Sequence, residues 1–295
     1  MPVENSVQLG TRNYKDSISA RLRESRDKDA LPIQIQEIQQ GEYWLIKCNF
    51  QKSMAADPEE EQIFTKIQLY YLANALTETI LLNWEKDYVC ETLGHKYKLG
   101  KGERLVLMPK VLQYLSGDLG YSSKAYREQR RASLLTQILT CLESQNSFDV
   151  EGFLQFRAWE YKHKVDEALA YTVDEHILQK EYLEFIKLLK HFLNTQPSRL
   201  DTLHVAINSE GKFNLFNDSG EKVTGQFVDN YALTDEGDVE LSYEDLLISS
   251  LIAVAPRQVV LHICYNGYRD NLQLVRKVFK DRISYCSGCV ICEKL

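Results

Sequence analysis

Apolar residues along this chain change their period near Pro197. From about residue 57 to that point they recur at steps of three and four. Phe64, Ile67, Tyr71, Ala75, Leu76, Thr79 and Leu82 trace one stripe toward Trp84, and Ile177, Tyr182, Phe185, Ile186, Leu189 and Leu193 trace another. That spacing collects apolar groups on one face of a helix. It predicts helices over about 57–84, 103–115, 124–142, 150–171 and 173–193. The run Asp57-Pro58-Glu59-Glu60-Glu61 reads as a helix start. Asp can cap, Pro suits the first helical position, and carboxylates in the first turn oppose the positive end of the helix dipole.

Period-two alternation marks strands instead. Ile33 and Ile35 alternate with glutamines, Gln40-Gly41 makes a turn, and 43–50 returns as an apolar run, which together predict a hairpin. Beyond Pro197, Leu203, Val205 and Ile207 alternate with His204 and Ala206, and 208–211 turns the chain back into 213–216. Residues 217–220 turn again into a short strand at 222–224. Ser242-Tyr243-Glu244-Asp245 opens an apolar helix, 258–263 is a β-branched strand, 269–280 is helical and 282–285 is a last strand. Alternating strands and helices of this kind form an open sheet with helices packed on it.

The expected fold class is therefore α+β: a mainly helical middle domain, then a small C-terminal α/β domain, with a short N-terminal β-hairpin. The expected boundaries are 1–30 for a flexible arm, 31–56 for the hairpin region, 57–199 for the helical domain and 200–295 for the α/β domain with its cysteine-rich tail. The arm is expected from Ser19–Asp29, SARLRESRDKD, whose few large apolar groups offset little ordering entropy.

With 295 residues, 44% of them hydrophobic, the chain is long enough to bury a real core. Its net charge of −7 lacks the footprint of non-specific nucleic-acid binding, so nucleic acid is not the expected partner. The longest apolar run, 246–256, is too short for a membrane helix of about 20 residues, and 1–19 has no apolar signal core. A soluble, cytoplasmic protein is expected. Seven cysteines, an odd number without disulfide-framework density, agree with that compartment.

One cluster carries candidate chemistry. The chain ends Cys286-Ser-Gly-Cys289-Val-Ile-Cys292-Glu-Lys-Leu. Thiolates are soft ligands for zinc or iron–sulfur clusters, and three at this spacing let one loop offer several sulfurs to one ion. The bacterial ferredoxin pattern matches only through its first three cysteines. A fourth ligand has to come from elsewhere, and Cys264 or His262 at the end of the neighbouring strand are the nearest candidates. Cys286 and Cys289 could instead form a redox dithiol, or all three could be reduced cysteines finishing a strand. The cofactor is thus unknown, with zinc or an iron–sulfur cluster as the open possibilities.

Other features are weaker. Lys124, Arg127, Arg130 and Arg131 with Tyr126 form a basic helical face, read as solvated, with an anionic partner as the alternative. His163, His176 and His191 have no histidine at i, i+4, so surface or cap roles are expected. No Walker loop, dinucleotide-binding glycine fingerprint, nucleophile elbow or H-E-x-x-H occurs. No catalytic residue is assigned, and an enzyme is not the leading reading.

Three stretches resemble the YtxC-like family of sporulation proteins of spore-forming Gram-positive bacteria. They are 152–161 continuing through 173–175 and 179–190, then 243–256 with 259–262, and the Cys-x-Gly-Cys-x-x-Cys tail preceded by Asp281-Arg282. The resemblance covers about Leu69 to Cys292 and includes the tail. It implies a soluble protein of such bacteria and no established reaction. The leading expectation is an interaction or regulatory protein with a protein partner or a second copy of itself. The alternative is a metal- or thiol-dependent redox protein using the tail.

Overall fold

The computed structural model describes residues 6–29, 31–50, 58–118, 124–208, 212–223, 243–263 and 272–294. The chain divides into two compact units, Met1–His176 and Ile177–Leu295. Among the described residues each contains one four-stranded sheet, so the α+β expectation holds.

In the first unit, β1 (Ser6–Thr11), β2 (Ile33–Gln40), β3 (Tyr43–Phe50) and β4 (Ser147–Asp149) form a sheet in the order β2-β3-β1-β4. The expected hairpin is β2–β3, paired antiparallel from Ile33 opposite Phe50 to Gln40 opposite Tyr43, with Gly41 at φ 64° in the turn. The expected flexible arm is a correction. Residues 6–11 pair antiparallel with β3, 8–10 pair parallel with β4, and Lys15–Asp29 is a helix, α1. Ile18, Ser19 and Leu22 are buried there while the other positions stay polar. Two anchored aliphatic side chains hold an element whose average composition is that of a solvated tail. Val7 and Leu9 complete the anchoring from β1.

Four successive helices contribute to this core: α2 (Pro58–Thr79), α3 (Glu85–His95), α4 (Lys101–Ser116) and α5 (Lys124–Ser144). A single π turn, Ile80–Trp84, joins α2 to α3 without a break. Such a turn shifts the side-chain register, and Ile80, Leu81 and Glu85 all face inward from it. Helix α4 ends where Gly117 takes φ 80° and its N–H returns to the Gln113 and Tyr114 carbonyls, a left-handed stop that favours glycine.

Asp149 caps the short helix α6 (Val150–Phe156) through the Gly152 N–H. Helix α7 then runs unbroken from Trp159 to Thr195. The sequence pattern suggests a break near 172 instead. The helix continues through that point, where Thr172 is buried and donates its hydroxyl to the Ala168 carbonyl at 2.8 Å. The chain turns earlier, where the N–H groups of Arg157 and Ala158 both return to the Phe153 carbonyl.

The second unit begins inside α7, whose Ile186 and Leu193 belong to its core. Compactness thus starts this unit at Ile177, whereas Pro197 suggests a boundary at 199/200. Its sheet has the order β6-β5-β7-β8, from β5 (Thr202–Ile207), β6 (Phe213–Phe216), β7 (Gln258–Ile263) and β8 (Ile283–Tyr285). Strands β5, β7 and β8 are parallel and β6 is antiparallel. Helices α8 (Tyr243–Val254) and α9 (Gln273–Phe279) complete the unit, with Leu247, Leu251, Val275 and Phe279 in its core. The expected caps Asp57 and Ser242, the strand end at Thr224 and the helix start at Arg269 lie outside the described residues.

Candidate metal centre

The two faces of the second sheet differ in chemistry. Leu203, Val205 and Ile207 on β5 and Val259 and Leu261 on β7 point into the hydrophobic core. The alternate positions His204, Ala206, Val260 and His262 fall on the other face. The parallel register puts His204 opposite Val260 and Ala206 opposite His262. The two imidazoles therefore lie two rungs apart on one face, and the small Ala206 leaves room beside His262.

The tail reaches that face directly from β8. Just after the strand, the Cys286 N–H donates to the Leu261 carbonyl of β7 at 3.0 Å, extending the ladder by one rung. Gly288 then turns the chain at φ 129°, a conformation open to glycine. Its N–H points at the Cys286 sulfur at 3.4 Å. The Glu293 N–H returns to the Cys289 carbonyl at 3.2 Å and closes the second turn.

The result brings His262, Cys286, Cys289 and Cys292 together, one donor atom from each lying within 4.8 Å of the others. His262 Nδ1 is 3.2 Å from Cys292 Sγ and 3.4 Å from Cys289 Sγ, and the Cys289 and Cys292 sulfurs are 3.9 Å apart. With Zn–S of about 2.3 Å and tetrahedral angles, two sulfurs on one ion lie about 3.8 Å apart. A cuboidal iron–sulfur cluster seats its thiolates on separate irons and spreads them wider. The Cys289–Cys292 separation fits two thiolates on one tetrahedral ion.

Electrostatics at the thiols is uneven. Backbone N–H groups of Cys292 and Ile291 hold the Cys289 thiol below its ordinary pKa. Burial pushes the Cys292 thiol up to about 11. A bound dication deprotonates a coordinating thiol outright, so this unevenness belongs to the free thiols. His262 is only 1% exposed, and burial, followed by the neighbouring His204, pulls its pKa below the usual imidazole value.

Of the sequence-derived candidates, Cys286, Cys289, Cys292 and His262 converge, and Cys264 lies outside the described residues. Two neighbours were not singled out by spacing. His204 Nδ1 sits 2.9 Å from His262 Nε2, and its other nitrogen, Nε2, is 3.6 Å from Asp218 Oδ1. His204 is visible in the sequence as a polar residue alternating with aliphatics. Its closeness to His262 depends on strand register, which spacing along the chain does not contain.

The basic face on α5 is a correction. Arg130 is 1% exposed and pairs with Glu85, and Arg131 pairs with Glu78 at 2.7 Å. Two of its four cations are thus committed to partners inside the first unit.

A model of the YtxC-like family matches residues 70–284. The chain belongs to the YtxC-like family. An uncharacterized protein YtxC of Bacillus subtilis (strain 168) is 23% identical over 183 residues, which cover 61% of this chain and 62% of that protein. The match thus spans less than two thirds of the relative's length. No solved structure matches the chain. The family match contains His204, Asp218 and His262 but ends two residues before Cys286. In this member of the YtxC-like family, the histidine half of the cluster lies inside the matched region and the thiol half follows it. No helix among the described residues is long and apolar enough to cross a membrane.

Proposed function

We propose that the C-terminal unit binds one zinc ion through Cys286, Cys289, Cys292 and His262, and that the ion fixes the tail against the sheet. The observation carrying this reading is the convergence of four soft donors from two separate segments within 4.8 Å. Four protein ligands fill a tetrahedral shell and leave no position for water or substrate, which is the pattern of a structural rather than a catalytic zinc. The protein then acts as a metal-stabilised interaction or regulatory component, cytoplasmic and connected with spore formation, engaging a protein partner or a second copy of itself. The YtxC-like membership and the absence of motif-bearing catalytic residues in the sequence support that wider role.

The test is metal content and metal affinity of the purified chain. One zinc per chain is expected, and cobalt substitution should give intense visible d–d bands and thiolate charge-transfer absorption. Cys289→Ser should weaken both. A chain free of metal, whose unfolding is the same with and without chelator, overturns the zinc reading. A second reading has its own observation, the 3.9 Å approach of the Cys289 and Cys292 sulfurs with the Cys289 pKa lowered. It makes the pair a reversible dithiol. Metal-free protein that loses two thiols on mild oxidation and recovers them with a dithiol reductant would favour it.

For the cellular role, a deletion strain should sporulate poorly and be restored by the wild-type chain but not by Cys289→Ser. Normal spores after deletion would remove the link to sporulation.

A further inference from the structure

We infer that His204 is the positioning residue of the metal centre, fixing the ring and tautomer of His262, with Asp218 behind it. This rests on the zinc reading above and extends it to residues outside the ligand set. The geometry forces a direction on the protons. His262 presents Nδ1 to the sulfurs of Cys289 and Cys292, at 3.4 and 3.2 Å. A metal bound there uses the Nδ1 lone pair, so the His262 proton sits on Nε2. That N–H faces His204 Nδ1 at 2.9 Å, which must accept. The His204 proton is then on its own Nε2, the nitrogen that faces Asp218 Oδ1 at 3.6 Å.

Carboxylate, imidazole, imidazole and thiols thus follow one another by contact, from the turn after β6 across β5 and β7 to the tail. Asp218 is held by the turn that follows β6, where Asn217 Oδ1 accepts the N–H groups of Ser219 and Glu221 at 3.0 and 2.9 Å. Ring contact adds to the orientation, since the two imidazole centroids are 5.2 Å apart and inclined at 41°. A metal-bound histidine usually donates its second N–H to a partner that sets ring angle and basicity, and losing that partner costs 10–100-fold in metal affinity. The unusual element is that the partner is a second histidine, itself backed by a carboxylate.

The experiment measures zinc affinity of the full chain by competition with a chromogenic chelator. His204→Leu removes the acceptor and should lower affinity about 10–100-fold. His204→Asn keeps an acceptor near the position of Nδ1 and should recover most of the loss. Asp218→Asn, at the exposed end of these contacts, should lose less than His204→Leu. Long-range proton–nitrogen correlation on the zinc-loaded wild type should show His262 and His204 both protonated at Nε2, a readout that a merely structural role does not set. Circular dichroism of each metal-free variant checks the fold. If wild type binds no zinc, the zinc reading falls and this inference with it. If wild type binds zinc and His204→Leu binds equally well, or His204 carries its proton on Nδ1, the zinc reading stands and the positioning role is refuted.

Discussion

Replacing Arg130 by Ala should destabilise the first unit more than any surface change, and the structure gives the size. The guanidinium is 1% exposed and Glu85 4%. Arg130 pairs with Glu85, donates from Nη1 to the Leu115 carbonyl at 2.9 Å and lies near Tyr161 Oη at 3.4 Å. The Tyr161 hydroxyl also donates to Glu85, and the guanidinium sits 5.7 and 5.3 Å from the Tyr126 and Tyr161 ring centres. Truncation leaves the Glu85 charge buried without its cation, which costs about 3–5 kcal/mol. Trp44, Trp84 and Trp159 are the three tryptophans of the chain and all precede residue 177, so their emission reports the first unit alone. Trp84 adjoins Glu85 and stacks on Tyr88 with centroids 4.7 Å apart. With an m-value near 3 kcal/mol/M, the upper end for small proteins, the urea midpoint should fall by roughly 1–2 M. Glu85→Gln with Arg130→Met removes both charges and keeps an acceptor for Tyr161, so the double variant should recover much of the loss. A loss below about 1 kcal/mol for Arg130→Ala, or a double variant as damaged as the sum of the singles, would refute the buried-pair account.

Leu22→Ala tests whether α1 belongs to the core: Leu22 is fully buried, so a cost of about 2–5 kcal/mol is expected in the same tryptophan-monitored unfolding, whereas a solvated arm gives none. Gly10→Ala places a methyl group against the Tyr43 ring and hydroxyl, which hydrogen-bonds Asp149. It should cost about 1–3 kcal/mol as overpacking, and Tyr43→Ala in the same chain should make the two changes non-additive. Burial raises the phenol pKa of both Tyr14 and Tyr161. Their contribution is complete below the ordinary tyrosine pKa of about 10 and is lost as pH climbs toward the raised folded values, at up to about 1.4 kcal/mol per group per pH unit. Alkaline unfolding followed by tryptophan emission should therefore begin above pH 10, and Tyr161→Phe should reduce the slope.

Periodicity made the long elements legible because burial on one face leaves a direct trace in the order of residues. The α2 stripe, the β2–β3 hairpin and the switch to strands after Pro197 all follow from that trace. It is faint where few side chains anchor an element. In α1, Ile18 and Leu22 do the work among charges, and β1 owes its place to backbone pairing on both sides, which hydrophobic order does not record. Arg130 reads as solvated in the sequence for a related reason. Its partner Glu85 lies 45 positions away, behind a π turn that changes which residues face inward. A cation read as solvated from its neighbours in sequence is buried by its neighbours in space.

The cluster shows the same division between what a segment states and what a sheet assembles. Three cysteines at steps of three announce themselves in one loop, and His262 is findable as the nearest donor at a strand end. His204 and Asp218 are not, because their relation to the site exists only once β5 pairs parallel to β7 and β6 folds back on β5. In open sheets with helices on them, ligands gather beyond the carboxyl ends of parallel strands. Here β7 ends at Ile263 and β8 at Tyr285, and the thiols follow at once, with the Cys286 N–H extending the ladder. The core side of the sheet is filled by aliphatic residues and gains nothing from an ion. The opposite side carries two histidines, one of them buried beneath the tail thiols at 1% exposure. Without a bound cation that packing sets three thiols and an imidazole against one another. With one it becomes a closed shell, and the segment that follows the family match is tied to the histidine that lies within it.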